Sequence, residues 1–198
     1  MNWHKLLIPT AVMLSCAGCL CLSTLNPIYQ DRQVVFDPSF LGTYRYQDDQ
    51  RFKAEVSIEK LEDKHYKIIV REGYSSYQLR GVLVQIGELR FVDLSPLEGI
   101  QQAFPRTMLP DNPIEAHFWQ SAHVIFKLLP GERELKLATV DWLALSRLLT
   151  KDPSVLKMGG RLITSSTEEL QGFLVKYGNG TNIFSQELVL GTKIEESR

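Results

Sequence analysis

Between Phe52 and Leu83 apolar residues recur on every second position, in one run after another, which commits the chain to antiparallel strands with a buried face. Phe52, Ala54, Val56 and Ile58 alternate with Lys53, Glu55, Ser57 and Glu59; Tyr66, Ile68 and Val70 alternate with His65, Lys67, Ile69 and Arg71. The short polar stretch Glu62-Asp63-Lys64 between them reads as a hairpin turn. A third run, Tyr77, Leu79, Gly81 and Leu83, passes through Gly87-Glu88, a glycine-first two-residue turn, into a strand from Leu89 to Leu94. The pattern predicts four consecutive strands in a meander.

A second hairpin is expected where Ala122, Val124, Phe126 and Leu128 form one apolar face, Pro130-Gly131 makes the turn, and Leu135 and Leu137 return. Two helices follow. The first opens at Asp141 as N-cap, carries Trp142, Leu145, Leu148 and Leu149 on one face, and stops by Asp152-Pro153. The second opens on Ser165-Ser166-Thr167-Glu168 as a capping box, continues through Leu170, Phe173, Leu174 and Tyr177, and closes at Gly178 in a left-handed cap. Arg161 to Thr164 and Gln186 to Thr192 are expected as short strands. The fold class is mainly β (a β-rich α+β domain), an antiparallel meander or barrel with two helices in the C-terminal half. Phe52, Val56, Tyr66, Ile68, Leu79, Phe91, Val124, Phe126, Leu135 and Leu137 are expected to face inward.

All three cysteines, Cys16, Cys19 and Cys21, lie within six residues of one another, and none occurs from Leu22 to Arg198. The folded domain therefore has no disulfide and no thiolate chemistry of its own. The cysteines sit in an apolar leader. Lys5 and the amino terminus supply a positive start, and Leu6 to Ala17 is an apolar run of signal-peptide length. An uncleaved span from Leu6 to Leu25 is the alternative, since those twenty residues carry no formal charge. Lysine plus arginine total 22 against 23 aspartate plus glutamate, and removal of the leader takes away only Lys5. A balance this close to neutral argues against nucleic acid as a partner, because phosphate neutralisation needs a basic face.

Ala17-Gly18-Cys19 resembles the lipobox of bacterial lipoproteins, in which small residues precede a cysteine that receives diacylglycerol and becomes the new amino terminus. Cys16 stands where that family usually has leucine, and acylation at Cys16 is the alternative. The resemblance implies residues 1–18 as signal peptide, 19–39 as a tether containing Asn26-Pro27 and Asp37-Pro38, and 40–198 as a single β-rich domain. Val34, Val35 and Phe36 are expected to pack onto that domain. Leu20 rather than aspartate follows the cysteine, and by resemblance to enterobacterial sorting this implies the outer membrane where the host has one.

Phe40-Leu41-Gly42-Thr43-Tyr44 resembles the opening of a lipocalin-like barrel, whose mark is glycine, any residue, then tryptophan; tyrosine stands here instead. Glycine lets the chain bend into the barrel while the aromatic ring plugs one end of the core. Over nearly its whole length the chain resembles uncharacterised bacterial lipoproteins that combine a cysteine leader with Asn26-Pro27, Leu41 to Tyr44, Asp141-Trp142-Leu143 and Thr167 to Gln171.

No Gly-x-Ser-x-Gly, His-Glu-x-x-His or phosphate-cradling glycine loop occurs. His117 and His123 flank Phe118-Trp119-Gln120 near Glu115 without matching a metal-binding signature, and they read as surface histidines around packed aromatics. Asp93 and Glu98 read as solvated loop charges rather than an opposed carboxylate pair. Tyr44, Tyr46, Tyr66, Tyr74 and Tyr77 can line a ligand mouth or serve as ordinary strand packing. The expectation is a non-catalytic envelope lipoprotein, without metal or cofactor, that binds an apolar small molecule or an envelope protein. The alternatives are an envelope hydrolase using His117 or His123 with acidic neighbours, and a purely structural interaction protein. Gly81 in a strand interior removes side-chain volume and points toward an apolar pocket.

Overall fold

The computed structural model describes residues 22–47, 53–72, 75–97, 122–131, 134–159, 162–179, 182–184 and 186–194. The alternating runs form β3 (Gly42–Gln47), β4 (Lys53–Lys60), β5 (His65–Glu72), β6 (Ser75–Ile86), β7 (Leu89–Pro96), β8 (His123–Leu128) and β9 (Glu134–Thr139), each antiparallel to the one before. The last strand, β12 (Gln186–Lys193), enters between β9 and β3 and pairs with both. Eight strands in chain order thus close into a β-rich, lipocalin-like antiparallel barrel.

Closure depends on Gly191, which has φ +148 at an irregularity in the β12–β9 register. A Cβ there would lie 2.7 to 2.9 Å from the backbone of Arg45 on β3, so only glycine lets the closing strand approach. Gly87 (φ +61) makes the two-residue β6–β7 turn with the positive angle at its first position alone, as a type II′ turn requires. Gly42 (φ +138) bends the chain into β3, and Tyr44 two residues on is buried with its hydroxyl donating to the Phe40 carbonyl at 3.1 Å.

Two cores result, one inside the barrel and one outside. Tyr44, Val56, Ile58, Tyr66, Ile68, Leu79, Leu83, Val92, Val124, Phe126, Leu135 and Leu137 fill the interior. Val82, Val84, Ile86, Phe91, Ile125 and Ala138 face outward from β6 to β9 and are covered by α1 (Trp142–Lys151), α2 (Thr167–Tyr177) and the segment before β3. Phe91 therefore faces out, against Phe184 at 5.7 Å between ring centroids, and not into the barrel as its strand pattern predicted. Strand β7 is apolar on both faces at Phe91-Val92, so alternation alone could not assign its sides. Phe52 lies outside the described residues.

The stretch read as a tether is built into this outer layer from Leu22 onward. Strand β1 (Leu22–Thr24) pairs antiparallel with the first half of β8 and parallel with β11 (Leu162–Ile163), which in turn pairs with β10 (Met158–Gly159). Leu22 and Ile28 are fully buried. Strand β2 (Val34–Val35) continues the edge of β6 beyond the start of β5. Three long-range hydrogen bonds tie this stretch to the α2 region: Asn26 donates to the Ser165 carbonyl, Thr167 to that of Pro27 and Gln171 to that of Ile28. Thr167 and Gln171 thereby satisfy the backbone carbonyls of Pro27 and Ile28, in the stretch between β1 and β2 that has no ladder.

Helix α1 starts at Asp141 as expected, its carboxylate accepting from Leu143 N and Ala144 N. Helix α2 starts one residue later than the sequence reading placed it. Ser166 and Glu169 form the reciprocal cap, while the buried Ser165 hydroxyl accepts from Lys157 N at 2.8 Å. Gly178 ends α2 with φ −73, a right-handed rather than left-handed residue. Glycine is needed there for space, because a Cβ would press on Leu89 and Phe91 of β7.

Candidate functional site

One end of the barrel gathers the β4–β5, β6–β7 and β8–β9 turns, the end of β12 and the start of β3. A 3₁₀ turn, Pro38–Phe40, crosses this end with Asp37 as its cap, accepting from the Ser39 amide and hydroxyl. Tyr66 holds the turn from below: Asp37 N donates to its hydroxyl at 2.7 Å, and that hydroxyl faces the Asp37 carbonyl at 3.3 Å. Phe36 stacks on the Tyr66 ring and Phe40 meets it edge-on, with centroids 5.3 and 5.2 Å away.

Beside this turn a cavity of about 540 Å³ opens at the mouth. Phe40, Tyr44, Leu83, Leu128 and Leu135 make its apolar lining, and Asp37, Glu88, Arg90, Lys127, Glu134 and Lys193 stand among the residues around it. Arg90 is paired with Asp37 at 2.7 Å, and Lys193 donates to the Ser39 carbonyl and lies 5.9 Å from the Tyr44 ring. Hydrogen bonds from Ser39, and after them Arg90, hold the Asp37 carboxyl below the usual carboxylate range, so the turn carries a fixed negative charge. Burial pushes the Tyr44 and Tyr66 hydroxyls up, which keeps them neutral donors at the mouth.

The cavity does not owe its room to Gly81. A Cβ built there would lie 2.5 Å from Ile68 Cδ1, so the neighbouring isoleucine already occupies the volume that glycine leaves. The missing side chain makes space for Ile68, with Leu94 Cδ2 next to it, rather than for a ligand.

A second polar cluster lies on the outer face, where the covering segment crosses β6, β7 and β8. Asp93 is 1% exposed and accepts from Ile28 N at 3.1 Å and from His123 Nδ1 at 2.6 Å. The register sets Arg80 of β6 opposite Ser95 of β7, and Asp93 of β7 opposite Ile125 of β8, two residues along from His123. Arg80 Nη2 lies 3.2 Å from His65 Nε2, and Arg80 Nε finds no acceptor among the described residues. Burial, reinforced by the Asp93 charge, pushes the Tyr29 hydroxyl up beside them. A carboxylate locked to imidazole Nδ1 fixes the ring and its tautomer, leaving Nε2 to accept or donate a proton.

Asp93 and His123 were both noticed in the sequence, but with other partners and as exposed charges. Thirty positions separate them, and only the β7–β8 pairing brings them together. Burial corrects the reading of Asp93 as a solvated loop charge. Of the tyrosines singled out, Tyr44 lines the mouth and Tyr66 supports it, whereas the side chains of Tyr46 and Tyr74 lie outside the described residues. Cys16, Cys19, Glu98 and His117 also lie outside them. Among the described residues no three His, Cys, Asp or Glu side chains gather as a metal site, and no helix is long and apolar enough to cross a membrane. The chain matches no protein-family model, no curated protein and no solved structure.

Proposed function

We propose that the protein is a lipoprotein of the bacterial envelope, anchored through Cys19, whose barrel binds the apolar end of an amphipathic molecule. The observation that carries this reading is the mouth cavity, with an apolar lining beneath a rim of both charge signs. Its apolar lining suits an apolar group, with the polar head remaining among Arg90, Glu88 and Lys193 at the rim. Titration of the soluble chain from residue 20 onward with a fluorescent fatty-acid-sized probe tests the proposal. Saturable uptake is expected, weakened about tenfold, or 1.4 kcal/mol, when Leu128→Trp fills the opening. Unsaturable uptake, or no change in Leu128→Trp, would turn the reading toward a protein partner.

A second reading, an envelope hydrolase, is favoured by the 2.6 Å contact between His123 and Asp93, with Ser95 two positions from Asp93 along β7. Here His123 acts as general base, Asp93 orients it, and Ser95 is the nucleophile. A fluorophosphonate probe that labels Ser95 in the parent chain and not in His123→Ala would support it. An unlabelled parent chain would remove it.

A further inference from the structure

We infer that the open end of the barrel faces the lipid bilayer, so that the mouth cavity loads from the membrane surface. The inference rests on the anchor at Cys19 proposed above and follows from what lies immediately after it. Only two residues lie between Cys19 and Leu22, the first residue of β1, and Leu22 is fully buried in the outer core. An extended chain gains at most about 3.6 Å per residue, so Cys19 lies within about 11 Å of Leu22. No slack linker intervenes, and the anchored lipid holds the domain itself against the bilayer.

The direction follows from the register. Leu22 stands opposite Ile125 and Thr24 opposite His123, so β1 read backward runs the same way as β8 read forward. Strand β8 ends three residues beyond Ile125 at Leu128, on the cavity lining. Ile125 thus lies three steps from the mouth, and a chain of the same three steps running back from Leu22 has the reach for an anchor at Cys19 to sit level with the rim. Helix α2 ends at the same level, because Lys127 Nζ donates to the Gly178 carbonyl. Val175, 64% exposed, lies in the last turn of that helix and offers an apolar contact beside the rim. Around the cavity Asp37, Glu88 and Glu134 offset Arg90, Lys127 and Lys193, so the covalent anchor rather than net charge sets the orientation.

Strand β6 supplies a ruler for the test, since exposed Ser76 lies at its far end and exposed Glu88 in the turn at the mouth. The full-length chain carrying Cys21→Ser, with either Glu88→Cys or Ser76→Cys, is purified from membranes, and its mass reports acylation. Each variant is labelled with a fluorophore and reconstituted in phosphatidylcholine vesicles containing a headgroup-nitroxide phospholipid. Ten strand residues tilted at 35–45° separate the labels by roughly 25 Å along the barrel axis, so quenching is expected to be about threefold or more greater at position 88. Equal quenching, or stronger quenching at position 76, in a protein whose mass shows acylated Cys19 would overturn the orientation while leaving the anchor intact. A chain without lipid on Cys19 would remove both the anchor and the orientation.

Discussion

Gly81 shows how a missing side chain can be structural. Its Cβ position is claimed by Ile68 inside the barrel, so Gly81→Val is expected to cost about 1–3 kcal/mol of overpacking, read as a lower urea midpoint. Probe binding at the mouth is expected to survive in the folded fraction. His65 makes a different point on the outer face. Burial, then the Arg80 guanidinium, holds its pKa below the ordinary histidine value of 6.5, against the weaker pull of Glu62, Asp63 and Asp31. The folded state therefore binds that proton less readily than the unfolded chain, and the stability present above 6.5 is lost as pH falls through the folded value. Thermal unfolding is expected to show a smaller loss of Tm between pH 7 and pH 5 in His65→Gln than in the parent chain. An equal loss in both would assign the acid sensitivity to another group.

At the scale of elements, the segment before β3 belongs to the fold. A fragment beginning at residue 20 is expected to unfold cooperatively and independently of reductant. One beginning at Leu25 lacks β1 and loses the fully buried Leu22, a side chain worth about 1.5–3 kcal/mol, together with the backbone pairing to β8 and β11. Urea unfolding of the two fragments distinguishes them, and equal midpoints would return β1 to the role of a tether. Strands β4 to β9 and both helices were legible because each carries its own period and its own turn or cap. Strand β1 was not, because three residues cannot display a period, and its partners β8 and β11 lie about a hundred or more positions away. The shift from Ser165 to Ser166 at the α2 cap has a similar origin: two adjacent serines offer the same local chemistry, and only the buried bond to Lys157 N decides between them. The mouth was half legible, through Gly42 and Tyr44. Its rim pairs Arg90 with Asp37 across 53 positions, and no local pattern announces such a contact.

For the molecule as a whole, one contact governs when the barrel can exist: Gly191 of β12 lying against Arg45 of β3. The strand that seals the barrel is the last of its eight described strands, while its partner β3 is the first. Until β12 is in place, β3 and most of β9 present bare ladder edges to any other chain. Ending the chain at residue 185 is therefore expected to yield oligomers or aggregate by size-exclusion chromatography, whereas a monomeric, cooperatively melting product would show that the other seven strands suffice. Synthesis runs toward β12, so a partly made chain cannot close its barrel, however long translation pauses. Hairpins and helices that precede β12 can form as they emerge, but the barrel stays open until β12 joins β3 to β9. In this protein the timing of assembly is written into the order of the strands.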